Sequence, residues 1–255
     1  MENAGSRSMN FYLLKTQTAD STVYGGTSLQ MADIKNTIKS SYANIFLIGL
    51  IANAQALFFY TDATDSIRAY GSTRALMTSG RFIGHYLDVL FDRAGFFSPY
   101  RYINVLFYIL FVALAVIFIL LTFDVKSTAK SCLIGAVIMT SAVNSGVLVY
   151  YYVAHMYGFC FLLSMFSTYL IVKRKMMVMP AILLMLSLGI YQAYFATVIL
   201  VIFLYQLFTL IKDDVEVTSW FENTFRYIFT VCSALILYVL ANKIALKGAG
   251  LSIEG

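Results

Sequence analysis

The chain has 255 residues, of which 60% are apolar and 12% charged, with a mean hydropathy of +0.77. A soluble domain carries roughly twice that charged fraction, which excludes a soluble globular protein and leaves an all-α polytopic membrane protein. The net charge of +5 lies in loops beside apolar runs, so it does not point to nucleic acid. Cys132, Cys160 and Cys232 lie in or beside those runs and form neither a disulfide framework nor a CxxC metal pattern.

Residues 1–41 are a polar leader without a cleavable signal peptide. Near its end Met31, Ile34 and Ile38 recur at helical spacing, which predicts a short amphipathic helix lying on the membrane surface. Residues 42–255 form the transmembrane domain. The first span is 42–60 and the second 102–123, separated by the polar loop 61–101. Residues 131–172 are too long for one crossing and enough for two, with the break between them marked by Asn144–Gly146 and the stretch around Tyr150–His155. Residues 176–211 hold two short crossings with a break at Gly189–Gln192. An amphipathic stretch at 215–225 leads to a last span at about 226–240, which makes about seven spans.

Orientation follows the short basic loops. With the leader inside, eleven basic residues face the cytoplasm and seven face outward, five of them in the 61–101 loop. The strongest vote is the run Lys173, Arg174, Lys175. The leader is therefore expected to be cytoplasmic and the polar loop extracytoplasmic.

That loop carries the candidate chemistry. It holds Asp62, Asp65, Asp88 and Asp92, five arginines (Arg68, Arg74, Arg81, Arg93, Arg101), His85 and no lysine. Asp62, Asp65 and Arg68 are spaced three apart, so neighbours share a face if the stretch is helical. A carboxylate there can act as a general base or hold a divalent cation, and an arginine can clamp a phosphate. A solvated face with an Asp–Arg pair gives the same spacing. Gly80–Arg81 precedes an amphipathic interfacial helix, 82–91, with His85, Asp88 and Asp92 on its polar side. His85 and Asp88 are candidates for lining a substrate cleft; an ordinary surface face, or an unspecific metal site, is the alternative. Tyr191 and Gln192 interrupt an apolar run, and polar groups at that depth need partners. They either line a cavity facing the loop or form a hairpin turn. No phosphate-binding glycine loop, GxSxG elbow or zincin helix is present.

Three features together resemble one family: the first span followed by Asp65-Ser66-Ile67-Arg68, the Gly80–Arg81 pair opening an amphipathic helix, and LSLGIYQAY at 186–194. The chain resembles the bacterial membrane O-antigen glucosyltransferases of the Gtr type II group, and through them the lipid-sugar-dependent glycosyltransferases of GT-C architecture. It departs from them in that Thr64 precedes Asp65 and Phe82 follows Gly80–Arg81. Members of that family are longer, so the resemblance implies an N-terminal portion.

The resemblance implies a hexosyltransferase of the bacterial inner membrane, taking glucose from a polyprenyl-phosphate donor to a polysaccharide acceptor at the outer face. Asp62 or Asp65 would be the base. Arg68 and Arg81 would hold the donor phosphate, with His85, Asp88, Tyr191 and Gln192 lining the substrate site. No cofactor is implied, although a divalent metal is compatible. Two alternatives stand beside it. A transporter or flippase of lipid-linked sugars would need a polar path or inverted repeats, and the sequence offers only Asn53, Gln55 and Asn144 deep in spans. A non-catalytic membrane protein would use the loop to bind a partner.

Overall fold

A computed structural model describes residues 41–58, 73–93, 101–211 and 216–251, and within them all regular structure is helical. Residues 1–40 of the leader, together with 59–72 and 94–100, which take in much of the polar loop, lie outside the described residues.

Helices α1 (Ser41–Ala52) and α2 (Ala54–Phe58) are joined through one turn residue, Asn53. Its N–H still donates to Gly49 O (3.0 Å), and Leu57 N–H to Asn53 O (3.2 Å), so the helical ladder continues. α3 (Thr73–Thr78) and α4 (Phe82–Arg93) follow. The expected amphipathic helix at 82–91 is therefore present. α5 is Arg101–Thr122, α6 Thr128–Met139 and α7 Ala142–Leu148. α8 (Ala154–Lys173), α9 (Val178–Ile190), α10 (Ala193–Ile211) and α11 (Val217–Gly248) complete the chain.

Helices α5, α8, α10 and α11 are long and apolar enough to cross a membrane, and the pair α6–α7, bent by 52°, adds a fifth if it acts as one span. α1 and α9 fall short by length. Two boundaries differ from the sequence reading. The bend lies at Thr140–Ser141, ahead of Asn144. Asn144 sits inside α7, where Ser141 Oγ caps its N–H at 3.4 Å. The break expected around Tyr150–His155 is present at 149–153, with His155 already inside α8. The interfacial stretch at 215–225 and the last span are one helix of 32 residues, because neither proline nor glycine interrupts it before Gly248.

α8 is the centre of the bundle. α5 runs parallel to it: Gly158 abuts Tyr108, and the rings of Phe111 and Phe159 (5.4 Å) and of Phe118 and Phe166 (4.8 Å) pair in rising register. A Cβ at Gly158 would lie 3.0 Å from Tyr108 Cα, so any side chain there would press on the α5 backbone. α9 is antiparallel to α8, tied by Ser164 Oγ to Ser187 Oγ (2.7 Å) and Ser167 Oγ donating to Pro180 O (3.0 Å). α10 returns parallel to α8, with Tyr194 on Phe161 and Tyr205 beneath Lys173. α11 runs back along α10, from Gln206–Thr224 (2.7 Å) up to Gln192–Tyr238 (3.0 Å). α1 lies against α5 and α6 through Gly49 and Gly135.

These directions create two unlike ends. One gathers the turns carrying Lys126, Lys130, Lys173, Arg174 and Lys175; Asp124 pairs with Lys173 there. The other gathers α3, α4, residues 149–153, and Tyr191–Gln192. Large apolar side chains of α10 and α11, such as Phe203, Leu204, Phe229 and Ile236, face outward, as a lipid-facing surface requires.

Asn144 tests the polar packing at the bend. Its Oδ1 accepts from the fully buried Tyr108 hydroxyl (2.6 Å), and its Nδ2 donates to the Ile138 carbonyl, which also accepts from Ser141 N–H at 3.2 Å. Asn144→Ala takes the Tyr108 hydroxyl's acceptor away and removes one of two bonds to the Ile138 carbonyl, and is expected to cost about 1–3 kcal/mol. A lowered thermal midpoint of the purified chain would record it; an unchanged midpoint would show that neither bond contributes.

Candidate functional site

The site begins with the way α3 ends. Gly80 has φ +79°, a left-handed conformation that favours glycine. Its N–H donates to Met77 O (3.1 Å) and that of Arg81 to Leu76 O (2.8 Å), the two bonds of a Schellman cap. The cap closes α3 and opens α4 at Phe82, which leaves Arg81 at the corner between them.

The corner is held from two distant segments. Gln192 Nε2 donates to Ser79 O (3.1 Å) and to Tyr238 Oη (3.0 Å). Tyr238 Oη in turn donates to Gly80 O (3.1 Å). A Cβ at Gly80 would lie 2.4 Å from Tyr238 Oη and 2.9 Å from Gln192 Nε2, so the fit requires glycine for space as well as for conformation.

Arg81 then lies on an aromatic pair. Its guanidinium carbon is 4.8 Å from the centroid of the Tyr191 ring, which stacks on Tyr157 at 4.3 Å. Arg81 Nη1 donates weakly to Tyr157 Oη at 3.4 Å. Its Nε is buried and has no partner among the described residues. One turn on, His85 N–H donates to Arg81 O (3.0 Å), and His85 Nδ1 is likewise buried without a partner among the described residues. A half-buried, planar cation with unused donor capacity, beside a partly buried imidazole, suits an oxyanion such as a phosphate.

α4 reaches this position because α9 lets it. A Cβ at Gly189 would fall 2.5 Å from Ile83 Cγ1, and Gly84 faces the Ile190 backbone. The LSLGIYQAY segment can now be read residue by residue. Ser187 joins Ser164 and Cys160, Gly189 admits α4, Tyr191 lies under Arg81, Gln192 holds the corner, and Tyr194 packs on Phe161.

Of the residues singled out by sequence, Arg81, Tyr191 and Gln192 come together, and His85 lies one turn away. Asp88 lies three residues beyond His85 on α4, partly exposed. Asp62, Asp65 and Arg68 lie outside the described residues. Among the described residues no three His, Cys, Asp or Glu side chains gather as a cation site would need. Tyr157 and Tyr238 belong to the arrangement and were not candidates. Each is a tyrosine in an apolar helix, where a membrane-interface belt accounts for it equally well, so the sequence held no local signal for either.

The corner residues and the LSLGIYQAY segment fall within one family match: the family model for glucosyl transferase GtrII covers residues 38–254. The chain belongs to the GtrII glucosyl transferase family. Searches of curated proteins and of solved structures give no match. Membership makes this GtrII chain a membrane glycosyltransferase, and its several apolar crossing helices agree. Both halves of the Arg81 corner lie within the GtrII match.

Proposed function

We propose that the chain transfers a glucosyl group from a polyprenyl-phosphate sugar to a cell-surface polysaccharide such as O-antigen, at the outer face of the bacterial inner membrane. The observation that carries this reading is Arg81 on the Tyr157–Tyr191 pair, an anion-binding group on the rim of a membrane bundle in a GtrII chain. The two unlike ends support one orientation. The end with Lys126, Lys130, Lys173, Arg174 and Lys175 faces the cytoplasm, and the Arg81 end faces outward. The N-terminus is then cytoplasmic, and the chain makes seven crossings, with α1–α2 and α9 as the short ones. Residues 1–41 form the leader and 42–255 the transferase domain.

The chemistry divides as follows. Asp65 or Asp62 takes the proton of the acceptor hydroxyl as its oxygen bonds to the anomeric carbon. The bond from that carbon to the donor phosphate oxygen breaks, and the phosphate leaves with the electron pair. Arg81, assisted by Arg68, stabilises the added charge. Because the leaving group is already an anion, no general acid is required, unlike the paired carboxylates of a glycosidase. His85, Asp88, Tyr191 and Gln192 line the sugar and phosphate site. The polyprenyl tail lies along the apolar faces of the bundle.

The test supplies membranes carrying this chain with radiolabelled polyprenyl-phosphate glucose and O-polysaccharide. Label in the polysaccharide is the expected result. Label transferred from UDP-glucose alone, or none from the lipid-linked donor, would sink the reading.

A further inference from the structure

We propose that Tyr238 is a positioning residue for Arg81, set from α11 across the bundle, and that it governs how the chain holds the phosphate of its donor. The inference rests on the reading of Arg81 as the phosphate clamp. It begins with five successive backbone polar groups. The Schellman bonds use the N–H groups of Gly80 and Arg81. The carbonyls of Ser79 and Gly80, which immediately precede Arg81, are taken by Gln192 Nε2 (3.1 Å) and Tyr238 Oη (3.1 Å). The Arg81 carbonyl accepts from His85 N–H at 3.0 Å. Every backbone polar group from the Ser79 carbonyl to the Arg81 carbonyl therefore has a partner.

The cap alone would close α3, so the two extra bonds have another consequence. They fix the peptide planes leading into Arg81 relative to α9, α10 and α11. Gln192 is the immediate neighbour of Tyr191, whose ring lies under the guanidinium. The same amide thus ties the arginine's backbone and the ring's backbone together, and Tyr238 closes the triangle by bonding both Gln192 and Gly80. A hydroxyl within an apolar helix is costly unless bonded, and this one meets two partners. The Tyr238 ring also packs on Phe82 at 6.0 Å, so Tyr238→Phe removes the hydroxyl and keeps that contact.

The experiment is a double-mutant cycle on equilibrium binding of radiolabelled short-chain prenyl-phosphate glucose to the purified chain in lipid nanodiscs. Tyr238→Phe is expected to weaken binding about tenfold and Arg81→Ala about 100-fold, with the double variant no weaker than Arg81→Ala, because a small misplacement of a clamp is felt only while the clamp is present. Asn144→Ala serves as the control for simple destabilisation; it lowers the thermal midpoint and leaves binding unchanged. The proposal is overturned if Tyr238→Phe binds within twofold of wild type, or if it weakens binding equally with and without Arg81. Wild-type binding by Arg81→Ala would instead overturn the clamp reading itself, and is read from its own arm of the cycle.

Discussion

Arg81→Ala is expected to slow glucosyl transfer about 100- to 1000-fold, the range seen when one preorganised donor is removed from a developing anion. The argument is geometric. Arg81 has its backbone held at both polar atoms and its guanidinium laid on Tyr191, so it does not need to be reorganised when charge grows on the leaving phosphate. Arg81→Lys keeps the charge but loses the planar fork and the stacking, and is expected to retain more activity than alanine while remaining about tenfold below wild type. Initial rates with saturating acceptor check both. A rate for Arg81→Ala within threefold of wild type would mean that the aromatic pair holds the arginine for structural reasons alone.

The second large effect belongs to the acids. Loss of the general base at Asp65 or Asp62 is expected to reduce transfer about 100- to 10,000-fold, and Asp→Asn at each position separates the base from its neighbour. α2 and α3, the helices flanking 59–72, both belong to the Arg81 end of the bundle, which motivates the assignment. One variant should lose nearly all turnover while donor binding is preserved, since the base acts on the acceptor hydroxyl. The other should show a modest loss. Full rates for both single variants, and for the double, would remove these acids from the mechanism.

Parts of this arrangement were legible in the sequence for physical reasons. The 82–91 helix announces itself because polar and apolar residues alternate at helical period over three turns. Tyr191–Gln192 announces a break because a polar doublet in an apolar run needs partners. Their meeting was not legible: Gln192 Nε2 and Ser79 O are 113 residues apart, and no local pattern encodes that pairing. Asn144 misled for a related reason. It reads as a polar interruption, yet it sits inside α7 because the Tyr108 hydroxyl and the Ile138 carbonyl satisfy its amide. The length of α11 was obscured by the acidic and polar residues in its first turns, which look like a boundary until the bond between Gln206 and Thr224 shows them packed on α10.

The parallel pairing of α5 with α8 sets an order of events during synthesis. Parallel neighbours cannot join by a short turn, and here α6 and α7 make the return. From the end of α5 at Thr122 to the end of α8 at Lys173 the chain gains 51 residues (173 − 122), which a ribosome adds in roughly 3–10 s at about 5–20 residues per second. For that interval α5 is complete while the partner that will cover Tyr108 and Phe118 is still being made. The Asn144 amide emerges before α8 does, so it reaches Tyr108 first. The bent α6–α7 pair is thus an early and lasting partner for a buried hydroxyl as well as a connection, and the bundle is completed only when its central helix arrives.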